Sequence, residues 1–190
     1  MKKIRGFTLT ELLVVVGIAS VLMAIGGPSL TSFIQNGRIT TVTNELISAL
    51  HVARNEAIRS NGVACVCSSD NANSAVPACN AGGNWEEGWF AFFDVVGNCQ
   101  YNDGVDRLIK IWDGASYATN MTVATTSTSI SPVDFVRFDS RGAPKVNAAT
   151  LQQGLFNICD DRGVDFARGV QMTVAGSVKS TNVIALLTCP

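Results

Sequence analysis

One carboxylate, Glu11, stands at the head of an apolar run that extends from Leu12 to Ile25. A charge beside a membrane-length segment is costly in hydrocarbon, so it points to a job or a partner. A positive group on a neighbouring chain would neutralise it. Other residues with chemical potential are sparse. His51 is the sole histidine, so general-base or metal chemistry lacks a second imidazole, and a structural role on a helix is the preferred reading. Asp103-x-x-Asp106 and Asp160-Asp161 offer hard oxygen ligands of the kind calcium takes, but neither has the full spacing of a calcium loop. Both read as solvated turns, with Asn98 to Asp106 the better of the two for an ion. The chain carries no Gly-x-Ser-x-Gly elbow, phosphate loop or dinucleotide fingerprint. No catalytic residue, cofactor or metal is assigned, and the chain reads as a non-enzyme.

Six cysteines, Cys65, Cys67, Cys79, Cys99, Cys159 and Cys189, follow an export-type N-terminus, which predicts disulfides in an oxidising compartment. Six cysteines allow 15 pairings, and spacing does not choose among them. Cys65 and Cys67 would face the same side of a strand roughly 6–7 Å apart, which argues against a bridge between them. Paired CxxC clusters of a zinc site do not occur. A bond between Cys159 and Cys189, beside the chain end, would keep the terminus from fraying. At least one further bridge is expected among the remaining four.

These residues must be positioned by one domain and an N-terminal segment, as 190 residues suggest. The formal net charge is −1. Removal of a leader carrying Lys2, Lys3 and Arg5 leaves 11 basic against 15 acidic residues, or −4, a poor basis for wholesale nucleic-acid binding. The run after Met1-Lys2-Lys3-Ile4-Arg5 admits three readings: a secretory signal peptide, a plain membrane anchor, or a segment cut between Gly6 and Phe7 and retained. Glu11 interrupts what a signal sequence or anchor would keep clean, and helical spacing continues beyond the run, so the third reading is preferred. Basic residues before the run place the leader in the cytoplasm and the bulk outside.

The spacing predicts one helix from about Phe7 to about Ser60, kinked near Gly26-Gly27-Pro28. Its second half carries a stripe of Phe33, Ile34, Val42, Leu46, Ile47, Leu50, Ala53, Ala57 and Ile58. Strands are expected at 63–67, 85–94, 108–112, 121–125, 133–138, 154–159, 169–174 and 183–187. The fold class is α+β: a long N-terminal helix, apolar in its first half and amphipathic in its second, packed on an antiparallel β-rich head. The expected division is a leader over 1–6, a membrane or filament-core segment over 7–30, and a globular head over 31–190.

The head Gly6-Phe7-Thr8-Leu9-Thr10-Glu11 resembles the type IV prepilin signature. Further on, Trp85-x-x-Gly88-Trp89-x-x-Phe92-x-Asp94, Phe138-Asp139-x-Arg141-Gly142, Ile158-Cys159-Asp160 and Ala167-Arg168-Gly169-Val170 with Gly176 resemble the GspH/FimT family of minor pilins and pseudopilins. The resemblance implies a prepilin peptidase that cuts between Gly6 and Phe7 and methylates the Phe7 amine. It implies that Glu11 pairs with the N-terminus of a neighbouring subunit during assembly. It further implies a single-pass inner-membrane precursor with its head in the periplasm, later part of a filament at the cell surface. The partners would be other minor pilins and the major pilin, and the role priming of assembly at or near the filament tip. Cysteines placed like Cys159 and Cys189 suggest the FimU- and FimT-like pilus branch over the type II secretion branch. Some members bind DNA for uptake in natural transformation through a Gly-Arg-x-Arg motif. Here the matching stretch is Gly176-Ser177-Val178-Lys179, without either arginine. Arg162, Arg168 and Lys179, with Arg141 and Lys145, are the remaining candidates for phosphate contacts, and DNA binding is not favoured.

Overall fold

The computed structural model describes residues 7–80, 84–114, 121–125, 134–146 and 150–189, apart from the side chains of 26–28. Two compact units are present, Met1–Gly37 and Arg38–Pro190. The leader 1–6, with the expected cleavage site at Gly6, lies outside the described residues.

One helix, α1 (Leu9–Arg59), accounts for most of the N-terminal third. Proline at position 28 does not end it; the backbone is helical across 26–28. Within the second unit Ile39, Val42, Leu46, Ala49, Leu50, Ala53 and Ala57 are buried, a stripe at three- and four-residue intervals. Thr43 shares that face because its hydroxyl donates to the Ile39 carbonyl at 2.7 Å. Phe33, Ile34 and Ile58, expected on the stripe, are exposed. Ile58 follows Ala57 directly and so points about 100° away from it. The helix stops through Asn61, whose φ is 47°, with Gly62 N–H donating to the Ala57 carbonyl at 3.0 Å, a Schellman closure.

Among the described residues nine strands follow: β1 (Val63–Ser68), β2 (Gly88–Asp94), β3 (Arg107–Asp113), β4 (Met121–Thr125), β5 (Phe135–Phe138), β6 (Pro144–Lys145), β7 (Gly154–Asp160), β8 (Arg168–Met172) and β9 (Val178–Thr181). They form two antiparallel sheets, ordered β3-β2-β1-β5-β6 and β4-β7-β8-β9. The fold is therefore α+β. Alternation along β1 and β2 places Ala64, Val66, Trp89 and Ala91 in the core with the helix stripe. Trp85 packs edge-on against Phe156 of β7 with ring centroids 5.0 Å apart, joining the two sheets.

The opposite face of the first sheet has its own core. Cys65, Cys67, Phe90 and Phe92 are fully buried there beneath the 69–80 and 95–106 segments. Tyr101 from the second loop stands edge-on to Phe90 and Phe92 at 5.6 and 5.5 Å. β1 and β2 are thus buried on both faces, which explains their near-continuous apolar sequences.

Two strand expectations are corrected, and β9 was not expected. Trp85–Glu87 is a 3-10 turn that precedes β2, not part of the strand. The run 183–187 is not a strand: Ile184–Leu186 is a 3-10 turn with Val183, Ile184 and Leu186 exposed. Only Leu187 is buried, over Gly169, where a Cβ would lie 2.8 Å from Leu187 Cδ2. The last strand is instead β9, whose Val-Lys-Ser-Thr sequence buries one residue, Val178.

Candidate assembly site at the helix head

The first turn of α1 is closed by its own side chains. Thr8 precedes the helix, and its Oγ1 accepts the Glu11 N–H at 3.3 Å. In return, Glu11 Oε2 accepts the Thr8 N–H at 3.5 Å, the longer of the two bonds. This Thr-x-x-Glu reciprocity is a capping box. The motif was legible at positions 8 and 11, and it gives Glu11 a local task that a reading based only on intersubunit charge misses. A carboxylate in the first turn also suits the partial positive charge at a helix N-terminus. Glu11 is exposed and keeps acceptor capacity for a second partner. Phe7 lies one residue before the cap and is 82% exposed.

Beyond the cap the helix is apolar all round. Leu12, Leu13, Val14, Val15, Val16, Ile18, Val21, Leu22 and Ile25 are each more than half exposed. α1 is long and apolar enough to cross a membrane by length and composition. The one hydroxyl in the middle of the run, Ser20 Oγ, donates to the Gly17 carbonyl at 2.8 Å, so it needs no water. Gly17 leaves a notch bordered by Val14, Ile18, Val21 and Leu22, with no atom within 4 Å of a Cβ built there. Such a surface suits hydrocarbon and suits another apolar helix.

The cysteines form three bridges: Cys65–Cys99, Cys67–Cys79 and Cys159–Cys189. Cys65, Asp94 and Cys99 bring two sulfurs and a carboxylate together, but the sulfurs are bonded to each other. The final bridge ends in an irregular segment, not a strand. Thr188 lies beside it, its Oγ1 accepting Asn157 Nδ2 at 3.3 Å.

Two of the acidic candidates, Asp106 and Asp160, are engaged in local structure. Asp106 accepts the N–H groups of Val95 and Asn102, each at 2.8 Å. Asp160 takes Arg162 Nη2 at 2.6 Å and Nε at 2.9 Å. His51 is half-buried on α1.

Arg168 and Lys179 do not share a face of the sheet, and Arg162 and Lys145 have acidic neighbours. Arg162 is tied to Asp160 and lies over the Phe166 ring at 4.4 Å. Lys145 approaches Asp139 at 4.0 Å. Arg168 stands on the side of β8 that carries Val170 and Met172, whereas Lys179 pairs in register with Gln171. Since side chains alternate, Arg168 and Lys179 occupy opposite faces of the sheet. Gly176 serves the turn: its φ is +76°, and Arg54 beneath it donates to Gly142 O at 3.0 Å and Ala175 O at 3.5 Å.

Two structural polar residues, Arg54 and Glu56, were not singled out from the sequence. Arg54, on α1, holds the 139–142 and 173–177 turns. Glu56 is buried, accepting Ser60 Oγ at 2.5 Å, Arg59 Nη2 at 2.6 Å and Arg107 Nη2. The Ser60 hydroxyl, then Arg59 and Arg107, lower its pKa to about 2 against the opposing effect of burial. A buried carboxylate three residues from a helix end has no signal that distinguishes it from a surface one.

A family model described as type II transport protein GspH matches residues 42–177, and a prokaryotic N-terminal methylation motif matches residues 1–27. The type IV minor pilin FimU of Pseudomonas aeruginosa PAO1 is similar in two crystal forms. The first has 17% identity and a TM-score of 0.54, covering 78% of this chain and 92% of that one. The second has 17% identity and a TM-score of 0.51, covering 75% and 91%. The minor pseudopilin EpsH of the Vibrio cholerae type 2 secretion system has 9% identity and a TM-score of 0.46, covering 76% and 96%. Comparison with curated proteins by sequence finds no match.

Proposed function

Because the chain belongs to the GspH family of minor pilins and pseudopilins, we propose that it is a minor pilin that primes assembly of a type IV pilus, at or near the filament tip. The observation that supports this most is the apolar segment of α1, exposed along its length and closed at its head by Thr8 and Glu11. In the proposed sequence of events, that segment sits in the inner membrane with the head in the periplasm. A prepilin peptidase cuts between Gly6 and Phe7 and methylates Phe7. The segment then passes from lipid into a bundle of like helices, contributed by the major pilin and other minor pilins. Glu11 accepts the Phe7 amine of a neighbour while retaining its bond to Thr8.

The test is Glu11→Ala in cells. Membrane insertion and processing are expected to be unchanged, while surface filaments fall. Filament number equal to that of the parent would overturn the role given to Glu11.

Type II secretion is the second reading, supported by the description of the family itself. Deletion of the gene separates the two. Loss of pili with intact protein secretion supports the pilus, and the reverse supports the pseudopilus.

A further inference from the structure

Cys65 and Cys67 lie two apart on β1 and share its outer face, in one buried cluster with Cys79 and Cys99. Chain statistics do not sort them. The native bridges close sequence separations of 34 and 12 residues. The swapped set, Cys65–Cys79 with Cys67–Cys99, would close separations of 14 and 32. Loop-closure entropy favours the native set by a factor of only about 1.2. The discrimination must come from the fold.

Its source is visible beside the Cys65–Cys99 bond. Asp94 is 2% exposed and ends β2, paired in register with Val63 at the start of β1. Its Oδ1 accepts the Gly97 N–H at 2.6 Å and its Oδ2 accepts the Cys99 N–H at 2.7 Å. The same Oδ2 lies 3.7 Å from Cys65 Sγ. Asp94 therefore curls the chain after β2 back on itself. It also holds Cys99 in the positive-φ conformation (52°) that brings it to Cys65. At the other end of β1, Asn80 N–H donates to the Ser68 carbonyl at 2.8 Å, which sets Cys79 next to Cys67.

We propose that Asp94 selects the disulfide partners of this chain, directing Cys65 to Cys99 and leaving Cys67 for Cys79. With oxidised glutathione as oxidant, a cysteine thiolate attacks one glutathione sulfur and releases a glutathione thiolate. A second cysteine thiolate then attacks the mixed disulfide and releases the other. Two protein thiols lose two electrons and two protons, and one oxidised glutathione becomes two reduced ones. A mispaired bridge is corrected by the same substitution: a free thiolate forms the new S–S bond as the old one breaks, and the displaced sulfur leaves as thiolate. Asp94 acts on the outcome by stabilising the turn in which Cys99 meets Cys65.

The experiment uses the full chain in detergent, carrying Cys67→Ser so that Cys65 can choose between Cys79 and Cys99. The reduced, denatured protein is refolded in mixed reduced and oxidised glutathione, then blocked and cleaved at Asp70 and at Glu86-Glu87. These cuts put the three cysteines on separate peptides. Chain statistics alone favour Cys65–Cys79 by about fourfold. With Asp94 present, Cys65–Cys99 is expected to dominate. Asp94→Asn and Asp94→Ala are each expected to lower the Cys99-to-Cys79 ratio by about tenfold, the scale of losing charged hydrogen bonds. Cys159–Cys189 formation should be unchanged and serves as the reporter of a folded head. The proposal is overturned if the ratio is the same with and without Asp94. It is equally overturned if Cys159–Cys189 pairing falls in parallel, which would make Asp94 a general support of the fold.

Discussion

Gly176 approaches Gly142 so closely that a methyl group at Gly176 would lie 2.3 Å from the Gly142 carbonyl oxygen. The two glycines head turns in different sheets, and Arg54 donates to that same carbonyl from α1. One guanidinium therefore joins helix, first sheet and second sheet. Gly176→Ala would meet the clash and also strain a φ of +76°. Its expected cost is more than about 2 kcal/mol. A fall in the head's melting temperature of at least about 4 °C would show it.

Arg54→Met keeps much of the side-chain bulk and removes the donors. Two carbonyls lose their partner, and a loss of about 1–3 kcal/mol is expected. Hydrogen exchange should rise at 139–143 and 173–177 before it rises in β1. Uniform exchange across the head would contradict a local clasp.

Glu56 makes stability depend on acid. Its folded pKa, about 2, lies below its ordinary value of 4.5, so its contribution is fully present above about pH 4.5 and is lost as pH falls towards 2. Glu56→Gln is expected to be less stable than the parent by about 1–3 kcal/mol at pH 7. The gap should close by about pH 2. Denaturant melts of both proteins across that range check the sign.

Cutting the last bridge should loosen the C-terminal segment. Cys159–Cys189 closes 30 residues, and the chain-entropy argument gives about 3–4 kcal/mol for such a loop. Cys189→Ser should lose about that much and expose 183–188 to proteases.

Nucleic-acid binding is expected to be weak. With Arg162 held by Asp160, and Arg168 and Lys179 on opposite faces, no single surface gathers these charges. Gel-shift titration at low and moderate salt should show no salt-sensitive complex that Arg168→Ala or Lys179→Ala removes. Such a complex would return the chain to the DNA-uptake reading.

What could be read in advance follows from how local each signal is. The helix stripe from Val42 to Ala57 was legible because its three- and four-residue spacing repeats over four turns. Exposure of Phe33 and Ile34 was not, since hydrophobicity marks a need for burial without saying which molecule supplies it. β9 escaped because Lys179, Ser180 and Thr181 carry no apolar alternation, and the ladder to β8 is what holds them extended. Val183–Leu187 misled for the opposite reason: its apolar residues lie past the last ladder, where Leu187 alone finds a seat. At the helix head, the Thr8–Glu11 pair was present in the letters, while the network around Glu56 depends on Arg107, 51 residues away.

The junction at Asn61-Gly62 sets how the head bears a pull. α1 passes into β1 within three residues, and β1 lies in the middle of its sheet. Tension applied along the helix therefore enters the head through a strand laddered on both sides and stapled by Cys65 and Cys67 to the covering loops. To yield, β1 would have to shear two antiparallel ladders together instead of unzipping one bond at a time. The load path thus runs through a central, doubly laddered strand, and β9 and the segment after it, in the other sheet, lie off it.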